Sequence, residues 1–217
     1  MITLHHLNNS RSQRVLWLLE ELGLEYKIEF YERDKQTSLA PSSLKKIHPL
    51  GKSPVLTDGD QVVAESGAII EYLVGKYGAG KLKGTDPLKY SYWLHFAEGT
   101  AMSPLLLTLI FGKIESTPAP FFVRPILKMI SGKVKKAFIN PNLESIFGFI
   151  ESELAKSEWF AGQEFSAADI QMSFPVEAAA ARASKNVGPK TTAFLAKIQA
   201  RPAYKKALAR GGEYSIL

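Results

Sequence analysis

The spacing of apolar residues divides this chain into two parts. Residues 2–7 read as a short strand. In 11–22 the apolar positions Val15, Leu18, Leu19 and Leu22 fall at i, i+3, i+4 and i+7, one face of a helix that Gly23 can close. In 25–31 Tyr26, Ile28 and Phe30 alternate, which predicts a second strand parallel to the first. Residues 41–47 read as a short helix and 49–52 as a loop. Residues 53–56 open a third strand, and Asp58-Gly59-Asp60 turns it back into a fourth at 61–64. Ser66 is expected to cap a helix whose inner face carries Ile69, Ile70, Leu73 and Tyr77 and which ends at Gly78-Ala79-Gly80. The order is β-α-β-α-β-β-α.

Beyond this point no strand pattern appears. A long helix is expected over 86–113, kinked at Pro104, followed by a loop at 116–120. Helical spacing resumes at Leu143, Ile146, Phe147, Ile150 and Leu154. Ser166-Ala167-Ala168-Asp169 is a capping signature ahead of Ile170, Phe174 and Ala178. Two more helices follow, one around Phe194, Leu195 and Ile198 and one from Pro202. The predicted class is α/β plus all-α: a first domain over 1–79 and a helical bundle over 87–217.

Composition narrows the chemistry. The 217 residues include no cysteine, which excludes disulfides, thiolate metal ligands and a cysteine nucleophile, and suggests a reducing compartment. The net charge of +6 comes from scattered lysines, with no basic block or aromatic-basic motif for nucleic acid. No uncharged apolar run reaches the length of a membrane span, and the amino terminus lacks a signal-peptide pattern. No metal-ligand spacing and no glycine-rich phosphate loop occurs.

The candidate chemistry lies at helix starts. Ser10 precedes the first helix. Alone it reads as an N-cap; it can equally present a hydroxyl to an anion over the helix N-terminus. With no cysteine in the chain, a thiolate bound there would belong to a small molecule. Ser53-Pro54 is either an ordinary trans pair or a cis turn. Glu65-Ser66 is either a cap with a solvated acid or a site for an amino-acid zwitterion, with the carboxylate at the helix N-terminus and the ammonium on the acid. Lys52 and His48 are surface groups or partners for a second carboxylate. Of His5 and His6, one is expected to pack and one to face outward.

Together these segments resemble a family. The β-α-β-α-β-β-α half, the helical second half, His48-Pro49-Leu50-Gly51-Lys52-Ser53-Pro54, the stretch Glu65-Ser66-Gly67-Ala68-Ile69-Ile70-Glu71-Tyr72-Leu73, and Ala200-Arg201-Pro202-Ala203-Tyr204 look like a cytosolic glutathione S-transferase with a thioredoxin-like first domain. The stretch from Asn8 to Leu22 is most similar to bacterial and fungal serine-type members. No tyrosine lies near the end of the first strand, and the absence of cysteine rules out the cysteine-type mechanism.

The resemblance implies a set of roles. Pro54 would be cis, and Ser53 would pair its backbone with the cysteinyl part of glutathione. Glu65 and Ser66 would hold the γ-glutamyl group, and Lys52, with His48, the glycyl carboxylate. Ser10 would stabilise the thiolate, with Asn9 and Ser12 as alternatives. Glutathione would be a co-substrate, with no bound cofactor and no metal. The reaction would be attack on a hydrophobic electrophile or on a hydroperoxide, in a pocket drawn from Met102, Leu106, Leu107, Phe111, Phe174 and Tyr214. A cytoplasmic homodimer is expected, with no nucleic-acid or membrane partner. The competing reading is a non-catalytic glutathione-binding scaffold.

Overall fold

The computed structural model describes residues 1–34, 36, 37 and 39–215. Strands β1 (Ile2–Leu7), β2 (Tyr26–Tyr31), β3 (Val55–Asp58) and β4 (Gln61–Ala64) form a sheet in the order β2-β1-β3-β4. β1 runs parallel to β2 and antiparallel to β3, and β3 and β4 form the hairpin expected at Asp58-Gly59. Helix α1 (Ser12–Glu21) supplies the parallel crossover and buries Val15, Leu16, Leu18 and Leu19. It ends as expected, with Gly23 at φ 65°, a left-handed position that glycine tolerates. Helix α2 (Ser66–Tyr77) buries Ile69, Ile70 and Leu73.

The helical half comprises α3 (Pro87–Phe96), α4 (Met102–Ser116), α5 (Arg124–Val134), α6 (Asn140–Lys156), α7 (Ala167–Arg182), α8 (Pro189–Ala200) and α9 (Pro202–Gly211). α3 and α4 are one helical run interrupted by a wide turn at Ala97–Ala101, where the Met102 N–H reaches back five residues to Ala97. The distortion therefore precedes Pro104, where a kink was expected. Pro104 lacks an N–H, and its ring crowds the carbonyl four positions earlier, that of Thr100, inside the wide turn. The same arrangement recurs between α5 and α6: Pro141 stands four residues after Ala137, within a wide turn at Lys135–Ile139 closed by Asn140 N–H to Lys135.

Helix α5 was not expected from the sequence. Its apolar Ile126, Met129 and Ile130 fall at helical spacing but stand exposed, and only Ser131 is buried. The continuous stretch Pro87–Ser116, which includes Lys89, Glu98 and Lys113, is long and apolar enough to cross a membrane by length and composition, though no uncharged run in it reaches that length. Met102, Pro104 and Leu105 of α4 are buried inside the protein.

Helix α7 is the centre of this half, buried along most of its length. Its capping box forms as expected. Ser166 Oγ accepts the Ala168 N–H at 3.3 Å, and Asp169 accepts the N–H groups of Ser166 and Phe160 at 2.8 Å each. Asp169→Ala would leave both N–H groups buried without an acceptor, at about 1–3 kcal/mol each. Urea unfolding is expected to show a loss of at least about 2 kcal/mol, whereas a substitution at the exposed Lys136 changes stability by less than about 0.5 kcal/mol.

Candidate active site

At the carboxyl end of β1 the chain turns through Asn8 and Asn9 into α1, and Ser10 lies in that turn. Beside it the Ser53–Pro54 peptide is cis. The Ser53 hydroxyl donates to the His5 carbonyl at 3.1 Å and accepts the Leu7 N–H at 3.3 Å, so it fixes the loop before β3 to the end of β1. A solvent-open cleft forms here, lined by Arg11, His48, Leu50, Lys52, Ser53, Pro54, Ala64, Glu65, Ser66 and Glu98. All six residues assigned from the sequence to glutathione contacts (His48, Lys52, Ser53, Pro54, Glu65 and Ser66) are among them.

Ser10 lies one layer deeper and is 4% exposed. Its Oγ is 3.5 Å from Ser53 Oγ, 2.7 Å from Ser12 Oγ, and accepts the Ser12 N–H at 3.2 Å. It thus serves the first turn of α1 while standing against the cleft wall. The alternatives are committed elsewhere. Asn9 Oδ1 accepts the Ser215 N–H at 2.7 Å, and Ser12 is fully buried with its Oγ 2.8 Å from His6 Nδ1.

Ser66 departs from its expected capping role. It is the first residue of α2, preceded by Glu65 at φ 70°, and its buried Oγ accepts from Arg14 Nη2 at 2.9 Å. The exposed Glu65 side chain and the α2 N-terminus therefore face the cleft together. His5 and His6 are both buried, where one was expected to face out. β1 is an inner strand, and Tyr31 and Ser12 close over the two rings.

Sequence reasoning missed the charged girdle behind the cleft. Arg14 is 1% exposed. It donates to Ser66 Oγ, to Glu98 Oε1 at 2.5 Å and to the Gln171 carbonyl at 2.6 Å. Arg11 Nε lies 2.9 Å from Glu98 Oε2. Burial pushes the Glu98 carboxyl upward, but Arg14 and Arg11 outweigh it and hold the group below its ordinary range. Glu98 is a lone acid between the apolar Trp93-Leu94 and Met102, the one local hint of its role.

The expected electrophile wall is dispersed. Phe174 is buried beneath both guanidinium groups, with Arg11 5.3 Å and Arg14 5.2 Å from its ring centre. Met102 is buried, Leu107 and Phe111 are half-buried and Leu106 is exposed. Tyr214 donates to Glu177 at 2.7 Å and lines a separate cavity with Tyr204 and Leu208. None of the six lines the cleft.

The sequence matches the glutathione S-transferase N-terminal domain over residues 1–75 and the C-terminal domain over residues 122–202. The chain belongs to the glutathione S-transferase family. It is 38% identical over 183 residues to glutathione S-transferase 3 of Schizosaccharomyces pombe, a match spanning 82% of this chain and 74% of that protein. It is 32% identical over 231 residues to glutathione S-transferase 1 of Saccharomyces cerevisiae, spanning 99% and 98%. The crystal structure of a glutathione S-transferase from Actinobacillus pleuropneumoniae superposes with a TM-score of 0.74 at 32% identity, over 97% of this chain and 93% of that one.

Within this family member, removal of Arg14 leaves the Gln171 carbonyl and Glu98 Oε1 without their donor, and Arg11 alone remains on the Glu98 carboxylate. Arg14→Met is expected to lower unfolding stability by about 3–5 kcal/mol in urea, the usual cost of breaking a buried pair. Lys76→Met, at a more exposed pair with Asp58, is expected to cost under about 1 kcal/mol.

Proposed function

We propose that this transferase binds glutathione along the cleft and activates it through Ser10. Ser66 and the N–H groups of the first turn of α2 take the γ-glutamyl carboxylate, and Glu65 takes its ammonium. The Ser53 backbone pairs with the cysteinyl unit, and Lys52 with His48 meets the glycyl carboxylate. The observation that carries this reading is the convergence of all six glutathione-side residues on one cleft, with Ser10 Oγ 3.5 Å from the Ser53 hydroxyl.

The energetics suffice. A free thiol titrates near about 8.5, and each unit of lowering takes about 1.4 kcal/mol. A hydrogen bond to a charged acceptor contributes about 1.5–3 kcal/mol, and a helix N-terminus about 0.3–1 kcal/mol. Together they lower the bound thiol by about one to three units, enough for thiolate at neutral pH. The thiolate then attacks an electrophilic carbon of a hydrophobic substrate and displaces its leaving group, or attacks a hydroperoxide oxygen. Residues 1–79 act as the glutathione-binding unit. Residues 87–217 supply the electrophile side, with Met102, Leu106, Leu107, Phe111, Phe174 and Tyr214 as its candidates.

The enzyme works as a homodimer in the cytoplasm, in keeping with a cysteine-free chain. Leu88 and Tyr92 share one face of α3, and Tyr92 stands 6.4 Å from Phe149 of α6. All three are exposed in the single chain, an apolar patch of the kind that marks an interface. Sedimentation is expected to give a dimer for the natural protein and a monomer for Tyr92→Glu. A monomer for both refutes the assembly.

Titration calorimetry is expected to show glutathione uptake, and Ser10→Ala is expected to keep it. With a chlorinated nitroaromatic and glutathione, Ser10→Ala is expected to lower kcat roughly 10- to 100-fold, the kinetic equivalent of one charge-assisted hydrogen bond. An unchanged kcat refutes the role of Ser10.

A further inference from the structure

The two long helical runs of the second half lie antiparallel. Trp93 of α3 stacks on Phe149 of α6 at 5.6 Å, and Glu115 near the end of α4 meets Lys135, just past α5, at 2.7 Å. α4 ends at Ser116, so α5 continues past it. A rise of about 1.5 Å per residue puts Arg124 roughly 15 Å beyond that end. Residues 117–123 connect the two. The result is a protruding tip. Of residues 120–130 only Val123 and Leu127 are half-buried, and the others are exposed.

This tip is apolar and cationic at once. Phe121 is 83% and Phe122 64% exposed, with their rings edge to face at 5.5 Å. Ile126, Met129 and Ile130 share one face of α5 and are each about half exposed. Arg124 and Lys128 stand at i and i+4 beside that face, and Lys133 falls i+4 from Met129 and i+3 from Ile130. Arg124 Nε donates to the Ala119 carbonyl, which leaves its charge uncompensated. No Asp or Glu lies between Glu115 and Glu144. Among the described residues Lys135 is paired with Glu115, while Lys128, Lys133 and Lys136 meet no carboxylate.

We propose that the tip over residues 120–136 docks this enzyme on a bilayer surface that carries anionic headgroups. The exposed rings of Phe121 and Phe122 and the apolar face of α5 enter the boundary between headgroups and acyl chains. Arg124, Lys128, Lys133 and Lys136 lie level with the anionic headgroups, their long stems reaching past the apolar neighbours. The chain lies on the membrane and does not cross it. This departs from the expectation of no membrane partner, and it is independent of the glutathione cleft. Charge and chemistry decide against other occupants. A second copy seated on the same face by a two-fold axis would set these cations against themselves. Nucleic acid would satisfy the cations and stack on Phe121 and Phe122, but it offers no apolar phase to Ile126, Met129 and Ile130.

Cosedimentation with vesicles tests the docking. The full chain is mixed with vesicles of phosphatidylcholine plus phosphatidylserine, and separately with vesicles of phosphatidylcholine alone. Binding is expected to be at least about tenfold tighter to the anionic vesicles and to weaken at high salt. Lys128→Gln with Lys133→Gln removes two cations at about fivefold each, an expected loss of about 25-fold. Phe121→Ser with Phe122→Ser keeps the charge and is expected to lose at least about tenfold. All four residues are exposed, so both variants are expected to keep the natural circular dichroism and the natural glutathione turnover in vesicle-free solution. Lys45→Gln with Lys46→Gln makes the same change of net charge away from the tip and is expected to bind vesicles within about twofold of the natural protein. No binding to either vesicle, equal binding to both, or binding that neither tip variant weakens overturns the proposal and leaves the glutathione reading standing. Capture of a single-stranded oligonucleotide in place of vesicles makes nucleic acid the occupant. A dimer that Phe121→Ser with Phe122→Ser turns into a monomer, with no vesicle binding, makes it a second copy. Either result also overturns the proposal.

Discussion

Arg14 joins elements from both halves of the molecule. From α1 its guanidinium reaches Ser66 at the start of α2, Glu98 in the wide turn between α3 and α4, and the Gln171 carbonyl in α7. Burying a guanidinium costs several kcal/mol unless it is paired and its donors are used. Here burial pulls the Arg14 pKa down, and the Glu98 carboxylate opposes it. The Gln171 carbonyl is available because Pro175, four residues on, has no N–H to give it. A proline inside α7 thus creates the acceptor that fixes α1, and α1 begins beside Ser10.

Three prolines in helical runs meet the same problem in two ways. Pro104 and Pro141 each follow a wide turn that relieves the carbonyl four residues earlier. Pro175 leaves its helix regular and hands the freed carbonyl to a side chain from the other half. The sequence shows where each proline stands. It does not show which remedy is used, because that depends on whether a buried donor lies opposite. Helix α5 was missed although Ile126, Met129 and Ile130 stand at i, i+3 and i+4; its apolar stripe is exposed rather than part of the shared core.

The cleft was legible to the extent that its parts are local. Lys52, Ser53 and Pro54 are neighbours, as are Glu65 and Ser66, and the β3–β4 hairpin between them sets their separation. Arg11 and Glu98 were not legible, because 87 positions separate them and only packing of the two halves brings their charges to 2.9 Å. The histidines failed for another reason. A strand pattern gives two faces, but it cannot say that both will be covered, as they are in an inner strand.

The two sides of the site differ in how firmly they are built. On the proposed glutathione side three hydroxyls are held by backbone or by a buried partner: Ser53 by the carboxyl end of β1, Ser66 by Arg14, and Ser10 by Ser12. Rigid donors of this kind favour charge as it develops on sulfur, since they need no reorganisation when it forms. The candidate electrophile side has no comparable frame. Leu106 is exposed on α4, Phe174 lies under two guanidinium groups, and Tyr214 is turned toward Glu177. On the proposed assignment, a fixed half that would make the nucleophile and a loosely arranged apolar half would suit an enzyme whose chemistry is constant while its second substrate is recognised chiefly by being apolar.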